Sequence, residues 1–167
     1  VIGNNDGVTI GTIEHLMAAL RGCGVDNAVI EIDGPEVPIM DGSSKVFVDM
    51  IDENGVLKQG EPRRAIKVLK EVTVEQDGKF VKLTPGEGSV FNGGIDFDHP
   101  SIGEQSHEIT LLNGNFRHDL ANCRTFGFIH EVEALRKMGL AQGGSLDNAI
   151  VLSQESVLNP DGLRRSD

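Results

Sequence analysis

At 167 residues and 38% hydrophobic content, the chain is long enough for one ordinary domain or two small ones, and with 4% aromatics and neither Trp nor Tyr its core must be aliphatic. A net charge of −11 excludes a general binder of nucleic acid, which needs a basic footprint, but leaves room for a few local cations on a phosphorylated small molecule. No run of about 18 apolar residues occurs, so no integral membrane segment is expected, and the first residues do not read as a signal peptide. Cys23 and Cys123 lie too far apart for a zinc finger or a dense disulfide framework, so a reduced, cytoplasmic protein is expected.

In chain order, Asn4-Asn5-Asp6-Gly7 is a turn leading into a helix over Thr9–Leu20. Ile13, Leu16, Met17 and Leu20 fall on one helical face, Thr9 and Thr12 are candidate N-caps, and Gly22 and Gly24 can end the helix. Val25–Asp33 is predicted to be a strand from its β-branched content. The two prolines of Gly34–Gly42 make the next stretch a constrained loop. Ser43 or Ser44 then caps a second helix with Val46, Phe47, Met50 and Ile51 inward and Gly55 at its end. Residues 58–64, polar and rich in breakers, form the best linker.

Beyond the linker the pattern turns to strands: Ile66–Glu75, a hairpin turn at Asp77-Gly78, Phe80–Thr84, Gly93–Phe97 and Glu108–Leu112. Asn115 can cap a short helix over Phe116–Ala121. Glu131–Met138 is amphipathic, with Val132 and Leu135 inward and Gly139 closing it. A turn at Gly143–Asp147, a short strand over Ala149–Leu152 and a type I turn at Asn159-Pro160-Asp161-Gly162 complete an α+β pattern.

Two clusters carry candidate chemistry. Glu14 and His15 lie off the apolar stripe of the first helix; they are either a solvated polar face or a metal-ligating imidazole beside a proton-handling carboxylate. Asp96-Phe97-Asp98-His99 is either a second metal site or a strand end with a solvated rim. His107, His118 and His130 have no ligand-spaced partner. Gly143-Gly144 lacks the strand and helix context of a dinucleotide loop, and neither a Walker loop nor a nucleophile elbow is present.

Six separated stretches together resemble one family. Thr12–Leu20, Gly24–Asn27 with Gly34–Ser43, Asp96–Pro100, Arg124–Phe128, Gly143–Val151 and Val157–Arg164 match, in order, the zinc-dependent UDP-3-O-acyl-N-acetylglucosamine deacetylase (LpxC) family of lipid A biosynthesis. The resemblance implies a two-layer sandwich of two related β-α-α-β domains. Residues 1–60 would be the C-terminal part of the first, 61–64 the linker, and 65–167 the N-terminal part of the second, with an inserted unit at about 126–152.

The resemblance also implies roles. His15 would be a ligand of Zn2+ and Glu14 the general base acting on the attacking water. Thr125 would donate to the oxyanion of the tetrahedral intermediate. The substrate would be UDP-3-O-acyl-N-acetylglucosamine. Phe97 would pack on the uracil ring and Lys79 would sit near the diphosphate. Phe126, Val132, Leu135, Ala141, Ser145, Leu146 and Val151 would line or support the passage for the acyl chain. A monomer that binds no nucleic acid is expected.

The family's remaining zinc ligands, a His and an Asp four apart, follow the stretch that matches Asp161–Arg164, and its catalytic acid comes later still. The chain therefore reads as a fragment, lacking N- and C-terminal parts, that is inactive, weakly metal-binding and marginally stable by itself. The competing readings are a non-catalytic acyl-nucleotide-sugar binding module and a structural α+β domain with Glu14 and His15 merely exposed.

Overall fold

The computed structural model describes residues 1–112, 114–139 and 141–164. Strands β1 (Ile2–Gly3) and β2 (Thr9–Ile10) pair antiparallel across a turn in which Asn4 Oδ1 accepts the Asp6 and Val8 amides, both at 3.0 Å. Helix α1 (Glu14–Gly22) follows, and neither expected threonine caps it. Thr9 is in β2, while Thr12 adopts φ 53° and donates its hydroxyl to Glu36 Oε2 at 2.7 Å. The stripe is also rotated: Ala19 is fully buried and Met17 is half exposed, because the small Ala19 side chain lets a second helix approach closely. The C-terminus is a Schellman motif. The Val25 amide reaches Leu20 O at 2.8 Å, the Gly24 amide reaches Arg21 O at 3.2 Å, and Gly24 supplies the left-handed φ of 75°.

Val25–Asp33 is not a strand, contrary to expectation. β-branched residues make a segment compatible with a ladder, but a strand needs a neighbour, and among the described residues none pairs with this one. Helix α2 (Lys45–Asn54) starts at the expected serines with a division of labour. Ser43 Oγ accepts the Lys45 amide at 3.1 Å, whereas the Ser44 hydroxyl leaves its own helix and donates to His15 O at 2.9 Å. Phe47 and Val48 are buried and Met50 is exposed, so Val48 rather than Met50 faces the core.

After the linker come two hairpins. Strands β3 (Val72–Gln76) and β4 (Lys79–Leu83) pair in register Val72↔Leu83 to Gln76↔Lys79. The turn has φ 52° at Asp77 and 74° at Gly78, as a two-residue type I′ connection requires. The expected strand over Ile66–Glu75 shortens at its start, where Ile66 and Leu69 lie outside any ladder. Strands β5 (Val90–Phe97) and β6 (Gly103–Thr110) pair over their full lengths, longer than expected for β5 and shifted toward the turn for β6. Helix α3 (Phe116–Asp119) follows Asn115. Strand β7 (Phe126–Phe128), helix α4 (Ile129–Lys137) and strand β8 (Ile150–Leu152) form a β-α-β unit whose two strands pair in parallel.

The core is Ala19, Val37, Phe47, Val48, Phe116 and Ala121, so it draws on residues from both sides of the linker. Phe116 lies directly over Gly22, where a Cβ would come within 2.1 Å of its ring. Beside it Arg117 grips Asp52 with two nitrogens, Nη2 to Oδ1 at 2.6 Å and Nε to Oδ2 at 2.8 Å. α3 is thereby keyed onto the α1–α2 pair. The hairpins contribute little to this core. The chain exposes 12965 Å², about 5,000 Å² more than a compact monomer of its mass, and Val74, Phe80 and Val81 on the first hairpin are each about two-thirds exposed.

Candidate functional site

Glu14 and His15 open α1, Glu14 exposed and His15 half-buried. A carboxylate in the first turn is favoured by the helix dipole. Among the described residues neither side chain has a hydrogen-bond or ion-pair partner, so both remain available to a ligand. The backbone beneath them is held: the His15 carbonyl accepts the Ser44 hydroxyl, and the buried Ser44 belongs to the loop that starts α2.

That loop is pinned at both ends. The Gly11 amide reaches Pro35 O at 2.8 Å and the Val37 amide reaches Gly11 O at 3.1 Å, clamping residues 35–37 onto the start of α1. At the other end stands Asp41. Its Oδ1 accepts the Ser43 hydroxyl at 2.8 Å and the Ser43 amide at 3.1 Å, and its Oδ2 accepts Arg164 Nη1 at 2.8 Å. Its backbone carbonyl accepts Arg124 Nε at 2.6 Å, and Arg124 Nη2 continues to the Asp147 carbonyl. Arg164 Nη1 also reaches Asn122 Oδ1 at 2.6 Å. Burial raises the Asp41 pKa, but the hydrogen bonds from Arg164 and Ser43 outweigh it and hold the carboxyl below its ordinary value. Arg124 is pulled down by burial and by the charge of Arg164.

Thr125 is exposed, and its carbonyl accepts the Ile150 amide at 3.2 Å at the start of the β7–β8 ladder. Phe126 meets Phe97 edge-on at 5.2 Å between centroids, so two of the candidate substrate residues come together from β7 and the end of β5. Phe128 tilts against Phe97 at 6.2 Å and stacks on His130 at 5.6 Å. A cavity of about 320 Å³ opens beside Phe126, walled by Ile95, Ile102, Ile150 and Leu152, with Arg124 and Arg164 supplying charge.

The other candidates scatter. Lys79 is exposed at the tip of the β3–β4 hairpin, where it pairs with Gln76. Val132, half-buried on α4, approaches Gly127, and Leu135, Ala141 and Leu146 are exposed. Ser145 is committed to its turn, its amide donating to Asn148 Oδ1 at 2.9 Å. Val151 is buried within β8, so it can support a passage from behind.

The Asp96–His99 alternatives are decided by geometry. His99 is buried, its Nδ1 accepts the Ser101 amide at 3.1 Å, and its Nε2 lies 3.0 Å from Ser153 O. An acceptor Nδ1 and a donor Nε2 define one neutral tautomer with no lone pair left for a metal. This histidine ties the β5–β6 turn to the segment after β8. Among the described residues no three His, Cys, Asp or Glu side chains converge on a point that could hold a metal. His15 alone does not make a zinc site, which needs at least three protein donors.

A model of the UDP-3-O-acyl N-acetylglycosamine deacetylase family, LpxC, matches residues 1–167. The chain belongs to this family. It is 53% identical over 167 residues to the UDP-3-O-acyl-N-acetylglucosamine deacetylase of Phenylobacterium zucineum, covering 100% of this chain and 57% of that protein. The protein of the same name from a Nitratiruptor species is 49% identical over 167 residues, with 100% of this chain and 56% of that protein covered. That from Syntrophotalea carbinolica is 50% identical over 167 residues, covering 100% and 54%. The chain thus spans a little over half the length of these family members. Among the described residues no helix is long and apolar enough to cross a membrane.

Reading the sequence for chemistry does not single out Asp41, Arg124 or Arg164. The only local signs are a carboxylate two residues before a serine in Asp41-Gly42-Ser43, and an arginine directly before the candidate Thr125.

Proposed function

We propose that the full-length gene product hydrolyses the N-acetyl amide of UDP-3-O-acyl-N-acetylglucosamine, the step that commits the sugar to lipid A. The observation that carries this reading is the family match over every residue of the chain, which includes the Glu14-His15 pair and Arg124-Thr125-Phe126. The same reading makes these residues part of a cytoplasmic, monomeric enzyme built as a two-layer sandwich of two β-α-α-β domains, with 126–152 as the insert in the second.

In this mechanism Glu14 takes the proton of the attacking water, a role suited to an exposed carboxylate with no competing partner among the described residues. The Thr125 hydroxyl donates to the carbonyl oxygen as it becomes an oxyanion. Phe97, braced edge-on by Phe126, offers a flat apolar face to the uracil ring, and Lys79 offers a cation to the diphosphate. Leu135 and Leu146 expose apolar side chains that suit an acyl chain. A zinc ion would polarise the amide carbonyl and acidify the water; His15 is the residue here that would hold it. The described donors do not fit a complete site, so no step is assigned to the metal, and the 167 residues alone are expected to be inactive.

The test is acetate release from UDP-3-O-acyl-N-acetylglucosamine by the purified full-length gene product. Glu14→Gln should lower kcat by about 100-fold or more with little change in KM, the range expected for loss of a general base. An unaltered kcat in that variant would sink the assignment of Glu14. Tight binding of the substrate by the wild type without acetate release would favour the non-catalytic module instead.

A further inference from the structure

We propose that Arg124 and Asp41 are positioning residues that hold Thr125 in register with the Glu14–His15 turn across the seam between the two halves of the chain. This rests on the deacetylase reading above. The two candidate groups stand on elements separated by more than a hundred residues, and general acid–base and oxyanion chemistry both fail when donor and base are misplaced by about an ångström. A continuous path of bonds joins their backbones. The His15 carbonyl accepts the Ser44 hydroxyl at 2.9 Å. Ser43, next in the chain and fully buried, gives its hydroxyl and amide to Asp41. Asp41 in turn accepts Arg124 through its carbonyl at 2.6 Å, and Arg124 directly precedes Thr125.

The same guanidinium reaches Asp147 O, so one planar side chain bridges the loop before α2 and the turn before β8. Arg164 fixes the Asp41 carboxylate from the other side, at 2.8 Å. Gly42 seals the contact: it sits so close to the Asn148 carbonyl that a Cβ there would lie 1.7 Å from the oxygen. The two carbonyls accept from different nitrogens of one rigid fork, Nε and Nη2, whereas lysine at position 124 keeps the charge but offers a single nitrogen that cannot reproduce that span.

The test uses the full-length gene product and the variants Arg124→Lys, Thr125→Ala and the double variant. Arg124→Lys should lower kcat by at least about tenfold while KM changes less than about twofold, with the variant still folded by far-UV circular dichroism at the assay temperature. If Arg124 acts through Thr125, adding Arg124→Lys to Thr125→Ala costs nothing further; a purely structural role would multiply the two losses. Multiplying losses, or an unchanged kcat in Arg124→Lys, would overturn the proposal. Amide hydrogen exchange gives a readout independent of turnover. Arg124→Lys should speed exchange at Ser43 and Lys45 as well as at Ile150, and acceleration confined to Ile150 would also overturn it. A wild type that releases no acetate would defeat the deacetylase reading while leaving this exchange result to judge the linkage.

Discussion

Replacing Gly42 by alanine tests whether the two halves of the chain are locked together at the Asp41 loop. Gly42 has φ 80°, in the left-handed region, and is buried. An added Cβ would lie 1.7 Å from the Asn148 carbonyl oxygen, 2.5 Å from its carbon and 3.0 Å from its Cα, all backbone atoms. Asn148 cannot swing aside cheaply. Its amide donates to Ser145 O at 3.2 Å, its Nδ2 to Gly143 O at 2.9 Å, and its Oδ1 accepts the Ser145 amide at 2.9 Å. The left-handed conformation costs a residue with a Cβ about 1–2 kcal/mol, and forcing a methyl into a packed contact adds about 1–3 kcal/mol. Gly24→Ala is the control. Its φ of 75° carries the same conformational cost, but its nearest neighbour is the flexible Arg63 Nη2 at 3.5 Å, an ordinary contact. Urea unfolding of the full-length gene product, followed by far-UV circular dichroism, reads the loss. Gly42→Ala should lose about 1–3 kcal/mol more than Gly24→Ala, on the order of a 1 M difference in midpoint. Equal losses in the two variants would refute the close approach of residues 42 and 148.

Two further predictions concern the seam. Phe116→Ala removes a buried ring from the shared core and should cost about 3–5 kcal/mol in the same assay, with Phe116→Leu costing much less; a loss under about 1 kcal/mol would mean that α3 is not docked on α1. The hydrogen bonds from Arg117 hold the Asp52 carboxyl below its ordinary value, and those from Arg164 and Ser43 do the same for Asp41 against the opposing effect of burial. A depressed folded pKa means a contribution present above the unfolded value of about 3.9 and lost as pH falls through the folded value. Stability should therefore drop on acidification below about pH 4. Arg117→Ala should flatten that drop, as followed by thermal melts between neutral and acid pH, and an unchanged slope would remove the ion pair from the account.

Much of the local structure was legible because its causes are local. The left-handed pair Asp77-Gly78 turns the first hairpin, Gly24 and Gly55 end α1 and α2, and Ser43 takes an amide of the α2 start, each through sterics or hydrogen bonds a few residues long. The family resemblance was legible for a different reason, since motifs in register need no coordinates. What the tertiary structure alone decided depends on partners distant in the chain. Val25–Asp33 has strand-forming residues and no ladder partner among the described residues, so propensity went unused. Thr12 and Ser44 have capping chemistry but spend it on Glu36 and the His15 carbonyl, 24 and 29 residues away. His99 reads as a metal candidate until both ring nitrogens are seen to be engaged. The bonds that knit the seam, Arg124 to Asp41 and Arg164 to Asp41, span 83 and 123 residues. No periodicity or propensity encodes such pairs, because a side-chain hydrogen bond is set by where the folded backbone brings its donor, and that position is a property of the packed core rather than of the neighbouring residues.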